Sequence, residues 1–216
     1  MGLADTVTKA YMKDNSVFAD AFNYLIYGGE AVVDPKQLQE LDTTEIALPF
    51  GSQDEDGKQP EEAVQKYRDV LKSAIIKQDD EAAYILLGIE NQTDIHYAMP
   101  VKNCIYDALN YGAQADEAAK RHRESKDTKG AEFLSGFSKT DKLTPVITLV
   151  ILWNSGVWDG PRSLHEMMRV QDPKILRFVP NYKLNLVVPG EIDDFGKFKT
   201  ELQETLELIS VQDDEI

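Results

Sequence analysis

The residues best placed to do chemistry together are Asp69, Glu90 and Gln92. Two apolar runs, Tyr67 to Ile76 and Ala82 to Ile89, are rich in β-branched and large apolar side chains and flank the polar segment Lys77-Gln78-Asp79-Asp80-Glu81. That pattern predicts a β-hairpin. With the turn centred between Asp79 and Asp80, Asp69 in the first strand falls opposite Glu90 in the second. Directly opposed residues have Cβ atoms ~5 Å apart. Glu90 and Gln92, two apart, share a face. Carboxylates that close repel unless a cation lies between them. Oxygen donors without thiols or imidazoles suit Mg²⁺ or Mn²⁺. The same spacing also suits ordinary solvated strand ends, and a register slip of one residue turns Asp69 to the other face.

Other chemistries are poorly supplied. Cys104 is the single cysteine, and His96, His122 and His165 are widely spaced, so no structural zinc site is expected. His165-Glu166-Met167-Met168-Arg169 approaches a zincin helix, but Arg169 stands where the second histidine must be. Gly51 to Gly57-Lys58-Gln59 approaches a phosphate-binding loop. Its spacing is one residue too long, and Gln59 replaces the hydroxyl that holds magnesium. Neither a nucleophile elbow nor a dinucleotide glycine fingerprint occurs.

The elements that must position the acids follow from periodicity. Phe18, Ala21, Phe22, Leu25 and Ile26 predict a helix over 15–27, capped by Asp14 or Asn15 and ended by Gly28-Gly29. Ile46 and Leu48 give a weak strand signal. Residues 51–62 form a polar, acidic segment expected to be a flexible loop. A long helix is predicted over 99–123, with Val101, Ile105, Ala108, Leu109, Gly112, Ala115 and Ala119 as its apolar stripe. On another face Lys102, Tyr106 and Asn110 recur at i, i+4 and i+8. Gly130 to Lys142 reads as a loop. Pro145 to Trp153 is apolar on both faces, as a central strand should be. Tyr182 to Val188 reads as another strand, and 193–210 as an acidic amphipathic helix. The expected fold is a single α/β (α+β) domain over 1–216.

Composition narrows the function classes. Hydrophobic residues make up 42% of the 216-residue chain, as in globular proteins. The longest apolar run, Val146 to Trp153, is too short to span a bilayer, and the first thirteen residues lack a signal-like apolar core. The expected location is cytoplasmic, with no membrane partner, and a lone cysteine agrees with a reducing compartment. The net charge of −15 opposes nucleic-acid binding. Much of the acid, however, lies in 54–62 and 191–215, and a basic cluster stands at Lys120, Arg121, His122, Arg123, Lys126 and Lys129.

Arg68-Asp69-Val70-Leu71, Ile89-Glu90-Asn91-Gln92-Thr93, and Met99-Pro100-Val101-Lys102 with Tyr106 resemble, in that order, core motifs of one bacterial family. That family is the recombination-promoting nucleases, also labelled transposases, of the PD-(D/E)XK superfamily. Pro145 to Val150 with Trp158-Asp159-Gly160-Pro161 resembles the stretch after its second core helix, and Phe18 to Asn23 resembles its first helix. The similarity spans roughly residues 14 to 188.

The resemblance implies a restriction-endonuclease-like core, a mixed sheet flanked by helices, and Mg²⁺-dependent (or Mn²⁺-dependent) cleavage of DNA. Asp69 and Glu90 would hold the metal, with Asp20 as third acid and Asp14, Glu40 and Glu45 as rivals for that place. Gln92 stands where most of the superfamily has lysine. Lys102 is the candidate to supply the missing positive charge, and Lys120, Arg121 and Arg123 are candidates to contact phosphates. Many endonucleases cut duplexes as dimers, so a homodimer is one expected state. The rival reading is a catalytically weak or inactive nuclease-fold module that acts by binding protein, which Gln92 and the charge of −15 favour.

Overall fold

The computed structural model describes residues 3–41, 44–47, 64–67, 69–78 and 81–212. In chain order the elements are α1 (Leu3–Met12), α2 (Asn15–Tyr27), β1 (Gln39–Glu40), β2 (Thr44–Ala47), β3 (Val64–Tyr67), β4 (Val70–Gln78), β5 (Glu81–Gln92), α3 (Met99–Ser125), α4 (Gly130–Ser135), β6 (Val146–Leu152), α5 (Pro173–Leu176), β7 (Asn185–Val187) and α6 (Leu202–Ser210). The fold is mixed α+β. One five-stranded sheet has the order β1-β4-β5-β6-β7, and β2 pairs with β3 in a separate two-stranded unit. The β4–β5 pair is antiparallel, whereas β5–β6 and β6–β7 are parallel. A parallel neighbour requires a crossover, and α3 supplies it between β5 and β6. The expected flexible loop 51–62, and the turn at Asp79-Asp80, lie outside the described residues.

The hairpin register is the one the sequence pattern demands. Val70 pairs with Ile89 and Gln78 with Glu81, so one further step beyond Val70 brings Asp69 beside Glu90. The expected run from Tyr67 is divided, however. Tyr67 ends β3, Val70 begins β4, and Asp69 sits at a bend between them.

The two faces of the sheet are covered differently. One carries the main core, where Val70, Ala74, Leu87, Ile89, Leu149 and Ile151 pack against Phe18 and Phe22 of α2 and Leu202 and Leu206 of α6. Asp14 caps α2, accepting from the backbone N–H groups of Ser16 and Val17. Gly28 ends it with φ of 62°, a conformation that costs glycine nothing. Asn23 bridges to the backbone of Val32 and Val33. Lys72, 1% exposed, points into this face. Its ammonium group donates to the Lys13 carbonyl at 2.5 Å and Asn15 Oδ1 at 2.7 Å, and it lies 4.7 Å from the Phe18 ring centroid. Burial lowers its pKa, opposed mainly by the nearby Glu40 carboxylate. Lys72 thus fastens the α1–α2 junction to the sheet.

The other face lies under α3, and here the expected stripe is reversed. The buried residues of α3 are Met99, Pro100, Asn103, Tyr106, Asp107, Ala118 and His122, whereas Val101 is 37% exposed. The reason is the surface being covered. β5 and β6 present Glu90 and Thr148, both 1% exposed, on that side. Buried polar groups need partners, and a purely apolar stripe would leave them stranded. Asp107 accepts from Thr148 Oγ1 at 2.7 Å and from the Tyr182 hydroxyl at 2.6 Å, tying α3 to β6 and to the segment before β7. A smaller apolar cluster of Met99, Val150, Leu152, Trp158 and Val188 closes one end.

The 193–210 segment is not one helix. A short 3₁₀ turn at Phe195–Lys197 precedes α6, and Asp20 explains the break. Its carboxylate, on a residue 4% exposed, accepts from the backbone N–H groups of Lys199 and Thr200 and from Thr200 Oγ1. Asp20 anchors the C-terminal segment to α2. It does not join Asp69 and Glu90, which corrects its expected role as third metal acid. Truncating it strands three donors, at about 2–3 kcal/mol. Asp20→Ala should lower Tm by roughly 5–10 °C in a thermal melt, without removing a divalent-ion response shown by the wild type. A wild-type Tm combined with loss of that response would return Asp20 to the site.

Candidate functional site

At the C-terminal end of β5, where it parts from β4 to enter α3, a cavity of about 350 Å³ opens. Asp69, Gln92 and Lys102 line it, with Lys9 from α1 and Asp94 and His96 from the connection to α3. The wall is held by bonds to its backbone carbonyls. The Trp153 N–H donates to the Gln92 carbonyl at 2.7 Å, Asn154 Nδ2 to the Thr93 carbonyl at 2.7 Å, and the Met99 N–H to the His96 carbonyl at 2.9 Å. The end of β6 thereby fixes the loop that begins α3.

Each acid has a defined partner. Asp69 Oδ2 accepts from the Asn91 N–H at 2.7 Å, a bond across the mouth of the hairpin. The Glu90 carboxylate is buried, and Lys102 Nζ lies 2.7 Å from its Oε2. The Lys102 side chain is 27% exposed, so this ion pair spans the boundary between interior and cavity. The ammonium group also lies 5.7 Å from the Tyr106 ring centroid, within cation–π range. Gln92 folds back, Nε2 donating to the Asn91 carbonyl at 2.9 Å. Asp69, Glu90, Gln92 and Lys102 are thus brought together. Lys102 balances the Glu90 charge, and Asp69 has a backbone donor. Among the described residues no group of three His, Cys, Asp or Glu is placed to hold a metal ion.

The basic cluster is elsewhere. Lys120 lies about 27 Å along α3 from Lys102, at ~1.5 Å per residue. Lys120 and Arg123 are exposed. Arg121 pairs with Asp141 at 3.1 Å. The His122 ring lies between two carboxylates, Nδ1 2.6 Å from Asp127 and Nε2 2.7 Å from Asp141. Acids therefore offset part of the positive field that the sequence suggested.

Sequence reasoning missed Lys9, Asp94 and His96. Lys9 belongs to a helix whose signal was available, since Val7, Ala10 and Tyr11 recur at helical spacing. The two loop residues had no such signal. Comparison with known proteins returns no matching family model, no matching curated protein and no matching solved structure. Among the described residues no helix is long and apolar enough to cross a membrane.

The His122 clamp has a pH signature. Hydrogen bonds to Asp127, then to Asp141, raise the imidazole pKa above its ordinary value. The same contacts lower the pKa of both acids, with the Ser138 N–H the largest cause at Asp141. A raised histidine pKa contributes stability that is complete below the unfolded value, about 6.5, and is lost as pH rises through the folded value. The lowered acids contribute stability that is lost as pH falls through their folded values. Wild-type Tm should therefore decline as pH rises above about 6.5, and His122→Gln should flatten that decline. Equal slopes in the two proteins, followed by calorimetry, would remove the clamp from the account.

Proposed function

We propose that this chain hydrolyses phosphodiester bonds in nucleic acid, DNA first, with Mg²⁺ or Mn²⁺, and that it belongs with the recombination-promoting nucleases on a restriction-endonuclease-like core. The observation that carries this reading is the convergence of Asp69, Gln92 and Lys102 on one cavity, from a hairpin and the following helix, with the buried Glu90 carboxylate paired to Lys102 behind the cavity wall. Their chain order is that of the family motifs they resemble.

The donor chemistry fits a hard cation. Two carboxylates with amide and backbone carbonyl oxygens nearby suit Mg²⁺, which commonly takes one or two carboxylates and keeps several waters. Asp69 and Glu90 would hold the ion, which when bound supplies Lewis-acid activation of water and charge stabilisation at phosphorus. The Asn91 N–H orients Asp69. Lys102 balances the buried charge of Glu90 and fixes its direction. This role differs from the expected one, in which the Lys102 charge faced substrate. The Gln92 amide orients the attacking water, which needs no net charge. Lys120, Arg121 and Arg123 would meet phosphates well away from the scissile bond, about eight base pairs along a duplex of ~3.4 Å rise. Localisation in the cytoplasm accords with the lone cysteine.

A binding module without turnover is the second reading, favoured by one observation: Lys102 is committed to Glu90 while Gln92 brings no charge. A melt with Mn²⁺ separates the two. An ion bound at a hundredfold excess over Kd stabilises by about 2.7 kcal/mol. The nuclease reading requires that gain in the wild type and its loss in Asp69→Asn.

In a cleavage assay on plasmid and labelled oligonucleotides, Asp69→Asn and Glu90→Gln should each reduce the rate on the order of 10²-fold or more. Without metal, Asp69→Asn should melt like wild type, because an amide oxygen still accepts the Asn91 N–H. Glu90→Gln should lose about 1–2 kcal/mol, since Lys102 keeps access to water but loses its partner. Undiminished cleavage by either variant would sink the assignment.

A further inference from the structure

Among the described residues, Lys9 is a cation of the cavity that no acid holds. It projects from α1 into the same space as Asp69, Gln92 and Lys102. The Lys102 charge is taken by Glu90 at 2.7 Å. Lys9 is half-buried, and among the described residues its ammonium group has no ion-pair or hydrogen-bond partner. A half-buried ammonium group without a protein acceptor donates to water, and it can exchange that water for the oxygens of an entering anion. Two carboxylates, Asp69 and Asp94, share the cavity wall, so an anion entering near them needs a compensating cation.

The helix that carries Lys9 is also firmly seated. Tyr11, two residues on, packs edge-on against Trp153 with ring centroids 6.0 Å apart. The Trp153 indole N–H is bound to Asn91 Oδ1 at 2.8 Å, next to the site. One turn beyond Lys9, the Lys13 carbonyl is held by buried Lys72 at 2.5 Å. These contacts join α1 to the strand that bears Glu90 and Gln92, so the place of Lys9 is set by the core and not by a free terminus.

We infer that Lys9 binds a phosphodiester oxygen of a nucleic-acid strand lying in the cavity, supplying from α1 the positive charge that Gln92 does not supply from β5. The inference rests on the nucleic-acid reading of the site but concerns binding, so it can be tested without turnover. The partner is a strand phosphate; a free phosphate ion offers the same oxygens, and competition separates the two.

The experiment is fluorescence anisotropy of a labelled oligonucleotide in Ca²⁺, read over a range of salt, with the full chain. Each phosphate contact contributes about 0.7–0.9 to the slope of log K against log salt. Lys9→Ala should lower that slope by about one contact and weaken binding roughly fivefold to tenfold at low salt. Lys9→Arg should retain binding within about twofold, since a guanidinium also meets phosphate. Gln92→Lys should restore much of what Lys9→Ala loses, because it returns one positive charge to the same cavity. Competition by millimolar inorganic phosphate that cancels the Lys9 dependence completely would overturn the strand assignment. An unchanged slope in Lys9→Ala, or no binding by the wild type, would overturn the inference itself. Lys9-dependent binding with no cleavage in Mg²⁺ would sustain it while sinking the nuclease reading.

Discussion

The burial of a carboxylate in the middle of the sheet is the constraint around which the rest is arranged. Glu90 is 1% exposed on β5, flanked by β4 and β6. An isolated charge there would be very costly, and a close partner offsets the cost. Lys102 is that partner at 2.7 Å. Because Lys102 lies in the first turn of α3, the pairing sets where the helix begins and which face it lays on the sheet. Asp107, five residues on, then meets Thr148 and Tyr182. Asparagine, tyrosine and aspartate therefore turn inward on α3 while Val101 turns out.

The opposite face follows the ordinary rule of apolar burial, with one exception that serves the site. Lys72 occupies a core position between α1 and the sheet, and its donors are spent on the α1–α2 junction. Apolar packing alone does not fix the direction of a ten-residue helix such as α1, because dispersion contacts are not directional. A buried ammonium group with two defined acceptors is directional. Together with the Tyr11–Trp153–Asn91 chain it brings α1 to the cavity. Charge burial on both faces thus converges on the end of β5.

The acidic chain carries its local positive charge in two different ways. At the far end of α3 the cations are interleaved with Asp127 and Asp141, and His122 is held between both. That arrangement stabilises the turn after the helix and leaves Lys120 and Arg123 exposed. At the cavity, Lys102 is bound to an acid, whereas Lys9 has no acidic partner among the described residues. A count of basic residues does not distinguish these states, since the distinction is made by residues distant in sequence.

The sequence by itself determined α2, the β4–β5 hairpin and its register. Periodicity placed α2 at its observed bounds, and the polar turn between two apolar runs set the pairing that brings Asp69 beside Glu90. These are short-range properties, readable because a strand repeats every two residues and a helix every 3.6. The tertiary structure decided what each polar side chain is for. Asp20 has the residue type and helix position of a metal acid, yet its oxygens are used by Lys199 and Thr200, far along the chain. The α3 stripe was misread because periodicity identifies an apolar face but not the polarity of the surface it must cover. Lys102 faces Glu90 and Lys9 enters the cavity for the same reason: electrostatic partnership depends on distance in space, and contacts between elements set that distance.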